Sequence, residues 1–414
     1  MSGEIVIIGA GQAGFMLAQT LRQKGSDAPI RLIGDEPEPP YERPPLSKAF
    51  LKGEMEAQSL AFRPAEFYAA KDIALMSGTR VVDIDLESRQ VATAKGDRIP
   101  YRHLVLATGA EPRRLACAGA RLAGIGTLRR LTDAVAWRAA LQPGRRLVVI
   151  GAGTIGLEVA AAARALGVDT TVVEMRERAM ARTASPVIAA AFTARHRAEN
   201  VTFVFGQGVA AFEGEQGRLR AVRLEDGTLL PADHALIGIG VEPQTGLARA
   251  AGIACGRGIL VDALGRTSAA DVYAAGDCAE YAHPFASGPL VIESVQNAVD
   301  QAKAVASALL GTDEPYSSVP WFWSDQYDWK LQTVGIVAPG DRRIVRGDPE
   351  SGAFSVCHLR AGRLVAVECL NRPKDYVQAR KPILSGAMPD ENRLADPDFP
   401  LKALIQTIIP PGRS

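Results

Sequence analysis

The chain has 414 residues (43.9 kDa), 47% of them hydrophobic, with 40 Gly and 26 Pro. That composition suits a globular protein of about three domains and excludes a collagen-like, low-complexity or disordered chain. Lys and Arg number 47 against 46 Asp and Glu, a net charge of +1, so the basic excess of a dedicated nucleic-acid binder is missing. The five cysteines, at 117, 255, 278, 357 and 369, show no CxxC or other metal-ligand spacing and read as reduced thiols of a cytoplasmic protein without a metal site. Neither a signal segment nor a run of 18 apolar residues is present, so no membrane association is expected.

In chain order, Ile5-Val6-Ile7-Ile8 predicts a buried strand, Gly9-Ala10-Gly11-Gln12-Ala13-Gly14 a tight turn, and the stretch through Leu17 and Leu21 a helix. A second strand over Ile30 to Gly34 leads into Asp35. The same pattern recurs as Leu147-Val148-Val149-Ile150, then Gly151-Ala152-Gly153-Thr154-Ile155-Gly156, a helix from Leu157 to Leu166, and a strand from Thr170 to Val173 ending at Glu174. In such a turn the first glycine makes the bend, the second lets a pyrophosphate approach the backbone, and the third lets helix and strand close together. The helix N-terminus then offers free N–H groups and partial positive charge to the phosphates. Each acid at the end of the second strand can accept hydrogen bonds from ribose hydroxyls.

Two later strands also end at glycine, His103 to Leu106 before Ala107-Thr108-Gly109 and Asp271 to Ala275 before Gly276-Asp277. Ligands of open α/β sheets bind at such carboxyl ends, which makes Asp277 a ligand candidate. From about Pro320 the chain changes character: Trp321, Trp323, Tyr327 and Trp329 crowd together ahead of short β-like segments. The fold expected is α/β, with two Rossmann-like dinucleotide-binding domains and a C-terminal α+β domain.

Several segments are more specific than the glycine turns: Pro40-Tyr41-Glu42-Arg43-Pro44-Pro45-Leu46-Ser47-Lys48, Ala107-Thr108-Gly109, Gly276-Asp277-Cys278, Ile292-Glu293-Ser294-Val295-Gln296-Asn297-Ala298 and Pro320-Trp321-Phe322-Trp323-Ser324-Asp325-Gln326. With these the chain resembles, over essentially its whole length, the two-dinucleotide flavoprotein reductases of glutathione-reductase-like fold, and within them the ferredoxin reductases of oxygenase systems. The resemblance implies FAD in the first nucleotide unit and NADH in the second. It carries FAD onto Gly9, Gly11, Ala13 and Gly14 at the pyrophosphate, Asp35 at the adenosine ribose, Val81 at the adenine, and Arg43 and Lys48 along the cofactor. Ala107, Thr108, Gly109 and Arg129 follow nearby, with Asp277 at the ribityl chain and Glu293 and Val295 toward the flavin ring. The nicotinamide dinucleotide falls to Gly151, Gly153, Ile155, Gly156, Glu174 and Gly240. The implied catalytic residues are Lys48, held in place by Glu158, and Trp323, which would help pass electrons to a partner.

The implied domains are an FAD domain split over 1–112 and 243–319, an NAD domain over 113–242, and a C-terminal domain over 320–414. Cys278 reads as a packed small residue. Disulfide reductases of this fold carry a cysteine pair after the first acid, but here the first cysteine is Cys117, so a dithiol route is excluded. The expected acceptor is a small [2Fe–2S] ferredoxin serving a cytochrome P450 or a ring-hydroxylating dioxygenase. Arg63, Arg114, Lys330 and Arg346 offer a basic docking surface for it.

Glu174 favours NADH, because a carboxylate about 5 Å from a 2′-phosphate repels it by about 3 kcal/mol per unit charge at an effective dielectric of about 20. Arg176 and Arg178 argue the other way, since either could bind that phosphate. Two alternatives stand beside this reading: an NADH oxidase or quinone reductase on the same scaffold, and an apoptosis-inducing-factor-like flavoprotein that acts by binding.

Overall fold

The apolar run Ile5–Ile8 forms the central strand of a five-stranded sheet in the order 272–274, 103–106, 5–8, 30–33, 73–76, with every neighbouring pair parallel. All four of its residues are buried, as expected of a parallel strand covered on both faces. The computed structural model describes residues 3–286 and 288–407. It comprises two units, one of residues 1–42, 58–111 and 241–320, the other of residues 43–57, 112–240 and 321–414.

In the first unit the helices Gln12–Gln23 and Val295–Leu309 cover one face of the parallel sheet, and Phe15, Leu17, Leu21, Ala302 and Val305 fill the space beneath them. A three-stranded antiparallel sheet of Val81–Asp85, Gln90–Thr93 and Arg98–Pro100 supplies Val81, Ile84, Val91 and Ile99 to the core on the other face. Helix Val295–Leu309 starts at Ser294, whose hydroxyl accepts from the Asn297 amide at 3.1 Å and so satisfies one of the free N–H groups of the first turn.

The second unit repeats this plan. Its parallel sheet runs 202–205, 169–174, 146–150, 234–237, 125–126, and a three-stranded antiparallel sheet, 209–215, 218–224 and 229–231, accompanies it. The same unit holds a five-stranded antiparallel sheet in the order 321–326, 329–335, 363–370, 354–360, 342–346. Helix Thr154–Ala165 is buried from Gly156 to Ala163. One core joins Leu147, Val149 and Leu157 to Leu331, Phe354, Val356 and Leu370, and the run Ala160–Ala163 keeps the helix thin enough to pack on both sides. The segment 43–57 also folds with this unit.

Arg346 departs from the docking role expected of it. It is 1% exposed, its Nε donates to Asp375 at 3.1 Å, and its terminal nitrogens donate to the carbonyls of Leu394, Asp396, Pro397 and Phe399. It anchors the C-terminal segment to the antiparallel sheet and offers no charge to a partner. Arg63, Arg114 and Lys330 are exposed, Lys330 beside Asp325 at 3.6 Å. No helix among the described residues is long and apolar enough to cross a membrane.

His196, fully buried, has its pKa pushed down to about 4 by burial, and burial does the same to His283. Because the folded-state pKa lies below the unfolded one, the unfolded chain takes up the proton first as pH falls through about 6.5. Stability is therefore complete above that pH and lost down to about pH 4. Denaturant unfolding should show His196 alone costing about 2 kcal/mol at about pH 5 relative to neutral pH, and a His196→Gln variant should lack that part of the slope.

Candidate functional site

In the first unit the turn after Ile8 lies at the carboxyl end of the central strand, where the sheet order changes direction between strands 5–8 and 103–106. This is where ligands of such sheets bind. Gly9 has φ +114°, and a Cβ there would sit 2.0 Å from the Ala107 carbonyl oxygen. A Cβ on Gly14 would meet the Gly9 carbonyl oxygen, also at 2.0 Å. Gly11 has nothing within 4 Å of its Cβ position and caps helix Gln12–Gln23 without any side-chain hydrogen bond.

The second turn matches. A Cβ on Gly151 (φ +102°) would meet the Gly238 carbonyl oxygen at 2.4 Å, and one on Gly156 would meet the Gly151 carbonyl oxygen at 2.1 Å. Gly153, the cap of helix Thr154–Ala165, has room as well, its nearest neighbour being the Gly238 carbonyl oxygen 4.0 Å from a Cβ. In both units, then, the outer glycines are required by protein packing. The middle glycine leaves a cradle before uncapped helix N–H groups, which fits a dinucleotide pyrophosphate.

The two copies differ at the acid. Gly9 N–H donates to the Ile33 carbonyl and Gly151 N–H to that of Val173, so the residue after Ile33, Gly34, takes the place of Glu174. A Cβ on Gly34 would come within 2.6 Å of Ala10 Cβ. Asp35, one residue further on, is exposed. Glu174 is fixed by two backbone donors, Ala152 N–H and Arg176 N–H, both at 2.9 Å. Exposed Ile155 (46%) and Met175 flank this turn, an apolar surface next to the cradle.

Arg178 is engaged with the backbone. Its guanidinium donates to the carbonyls of Ala179, Met180, Ala181 and Ala184, closing the loop after Glu174, while burial lowers its pKa. Arg176 is exposed. Gly240 (φ +100°) faces Arg182, whose Nη2 would lie 2.9 Å from a Cβ.

Other expected residues of the first unit lie around the same strand ends. Ala107, Thr108 and Gly109 follow strand His103–Leu106, and the Thr108 hydroxyl donates to the Gln244 carbonyl at 2.7 Å. Gly276 N–H donates to Gln301 Oε1 at 2.8 Å, and a Cβ on Gly276 would lie 3.1 Å from Ala13 Cβ, which brings Asp277 to the side of the glycine turn. Val81 is buried, Val295 opens its helix, and exposed Glu293 pairs with Arg257. Cys278 is fully buried, with its Sγ 3.3 Å from the Leu106 carbonyl oxygen, and burial raises its pKa. It is a packed thiol.

The second unit gathers Arg43, Lys48, Arg129, Glu158 and Trp323. Pro44 and Pro45 preset the backbone of a 3-10 turn, Pro44–Ser47. Lys48 follows, and its Nζ lies 2.6 Å from Glu158 Oε2 and 3.2 Å from the Pro44 carbonyl. Glu158 is only 2% exposed and has two further donors, the Ser47 hydroxyl to Oε2 at 2.5 Å and the Ser324 hydroxyl to Oε1 at 2.7 Å. Arg43 donates to the Arg129 carbonyl at 2.8 Å, and the Arg129 amide is held by Asp133 at 3.0 Å. Trp323 is half-buried beside Trp321, ring centroids 5.6 Å apart.

Ser47 and Ser324 were not singled out by sequence reasoning, because a serine carries no spacing signature. The available signal was the alternation in Trp321–Gln326, where Ser324 and Gln326 share the face opposite Trp323.

The glycine geometry separates folding from binding. Gly9→Ala should cost about 3 kcal/mol in thermal or denaturant unfolding, because both its φ and its carbonyl contact forbid a side chain. Gly11→Ala (φ −93°) should unfold like the parent yet purify with a lower flavin-to-protein ratio.

Residues 3–302 match the pyridine nucleotide-disulphide oxidoreductase family, and residues 321–405 match the reductase C-terminal family. The chain is 44% identical to the 5,5′-dehydrodivanillate O-demethylase ferredoxin reductase subunit of Sphingobium sp. (strain NBRC 103272 / SYK-6), covering 97% of this chain and 98% of that one. It is 45% identical to rhodocoxin reductase of Rhodococcus erythropolis, covering 97% and 94%. The solved covalent putidaredoxin reductase–putidaredoxin complex matches with a TM-score of 0.95 and 39% identity, over 98% of each chain. With two uncapped glycine cradles, a Lys48 ammonium paired to the buried Glu158 and these likenesses, the chain belongs to the pyridine nucleotide-disulphide oxidoreductase family.

Proposed function

We propose that the chain is an FAD-dependent NADH:ferredoxin reductase that supplies an oxygenase through a small [2Fe–2S] ferredoxin. The observation that carries this is the Lys48–Glu158 pair, whose Lys48 lies in the stretch where disulfide-reducing members of the fold carry their cysteines. A bound FAD would supply the redox chemistry that links NADH, a two-electron donor, to a one-electron iron–sulfur acceptor.

The chain's own residues bind and orient. Gly9, Gly11, Ala13 and Gly14 frame the FAD pyrophosphate, Asp35 takes the adenosine ribose, and Val81 borders the adenine. Ala107, Thr108, Gly109, Asp277, Glu293 and Val295 extend that site, and the family resemblance adds Arg43 and Arg129 as FAD contacts. Gly151, Gly153, Ile155, Gly156 and Gly240 frame NADH, and Glu174, already oriented by two backbone donors, accepts from its ribose 2′-hydroxyl. Lys48 presents an ammonium that stabilises negative charge on the reduced cofactor, and Glu158 holds that ammonium in place. Trp323 lies on the exit path of the electrons.

In functional terms the chain divides into an FAD domain (1–112 and 243–319, less residues 43–57, which fold with the second unit), an NAD domain (113–242) and a C-terminal domain (320–414). The five free cysteines suit a cytoplasmic location.

Purified flavin-bound protein mixed with NADH and cytochrome c should reduce the cytochrome rapidly only when a [2Fe–2S] ferredoxin is added. Equal rates without ferredoxin would instead establish an NADH oxidase or quinone reductase. Catalytic efficiencies for the two donors should favour NADH. Glu174→Gln, which removes about 3 kcal/mol of phosphate repulsion, should shift the NADH/NADPH ratio by about 100-fold toward NADPH. A ratio unmoved by this variant would refute the role of Glu174.

A further inference from the structure

Behind Glu158 a line of side chains runs away from Lys48 through the second unit. Ser324 Oγ donates to Glu158 Oε1 at 2.7 Å, and Gln326 Nε2 lies 3.1 Å from Ser324 Oγ. His196 Nε2 lies 2.8 Å from Gln326 Oε1, and the Tyr327 hydroxyl lies 3.0 Å from His196 Nδ1. Glu158, Ser324, Gln326 and His196 are all buried, and Tyr327 is half-buried.

The direction of every bond follows from the first. An ionised carboxylate only accepts, so Ser324 must spend its single proton on Glu158 and can only accept from Gln326. The Gln326 amide nitrogen therefore faces Ser324 and its oxygen faces His196. His196 must then carry its proton on Nε2, which leaves Nδ1 to accept from the Tyr327 hydroxyl. Four donors in series thus point at one carboxylate, and bonds aligned in this way polarise one another in a low-dielectric interior.

We propose that Ser324, Gln326 and His196 are positioning residues that fix the Glu158 carboxylate from behind, and through it the Lys48 ammonium. The strand that carries Ser324 and Gln326 inward carries Trp323 on its other face, so one β-strand serves both the charge and the aromatic side chain. The proposal rests on the reading that Lys48 serves the flavin.

The test follows anaerobic flavin bleaching by NADH in the purified flavin-bound enzyme, together with the flavin midpoint potential. Lys48→Met is the reference and should slow bleaching and lower the potential. Ser324→Ala should slow the limiting rate about tenfold at an unchanged NADH dissociation constant and move the potential in the same direction. Ser324→Thr, which keeps a hydroxyl, should recover most of the rate. Ser324→Ala added to Lys48→Met should have no further effect, because both changes act through one ammonium.

Tyr327→Phe, at the half-exposed end of the line, should give a loss of about threefold in the same direction. It decides the matter if Ser324→Ala yields no flavin-bound protein. If Lys48→Met moves both readouts while Ser324→Ala and Tyr327→Phe move neither, the positioning proposal fails and the role of Lys48 stands. If Lys48→Met itself moves neither, that role fails and the proposal falls with it.

Discussion

A carboxylate buried among alanines has to be given partners, and much of the second unit is arranged around that need. Glu158 sits in the helix Thr154–Ala165, with Ala160–Ala163 one turn further on, where an unpaired charge would be strongly unfavourable. Its partners come from parts of the chain far apart in sequence: Ser47 and Lys48 from a proline-led turn, and Ser324 from the C-terminal sheet. Removing a partner leaves that buried carboxylate uncompensated, which is destabilising. The helix that opens at the second glycine turn is therefore also the seat on which segment 43–57 and strand Trp321–Gln326 are fixed. The same bonds that satisfy the carboxylate set the direction of the Lys48 ammonium, so folding stability and placement of that charge share one origin.

The two nucleotide units show how far a repeated motif constrains geometry. Their outer glycines are held by the same contact, a carbonyl oxygen about 2 Å from any added Cβ. Their acids are not equivalent. Glu174 directly follows the strand residue that receives the glycine amide and is locked by two N–H groups, whereas the corresponding Gly34 is forced small by Ala10 and the acid moves on to Asp35. One motif thus carries two differently placed carboxylates, which suits two different dinucleotides.

Much of this was legible in the chain, because strand–glycine–helix patterns are local and each residue type has one physical task in them. The cations were less legible. Arg346 and Arg178 look alike in sequence, as charges free for a partner or a phosphate, yet each is consumed by backbone carbonyls. An arginine's partners are set by where the chain returns, and nothing within a few residues reports that. Ser324, Gln326 and His196 were invisible for the same reason: they form a line only after a strand and a helix have packed together.

By itself the sequence determined two parallel nucleotide-binding sheets, the positions of their phosphate cradles, and the absence of a dithiol, since all of these depend on short-range spacing and residue type. It took tertiary packing to bring residues 43–57 into the second unit, to fix Glu174 between two backbone amides, and to set a directed line of donors behind Glu158. The first and the last depend on hydrogen bonds between groups more than a hundred residues apart in the chain, whereas Glu174 is held by amides 22 and 2 residues away. Such bonds become favourable only once burial has removed the water that would otherwise compete for each donor and acceptor.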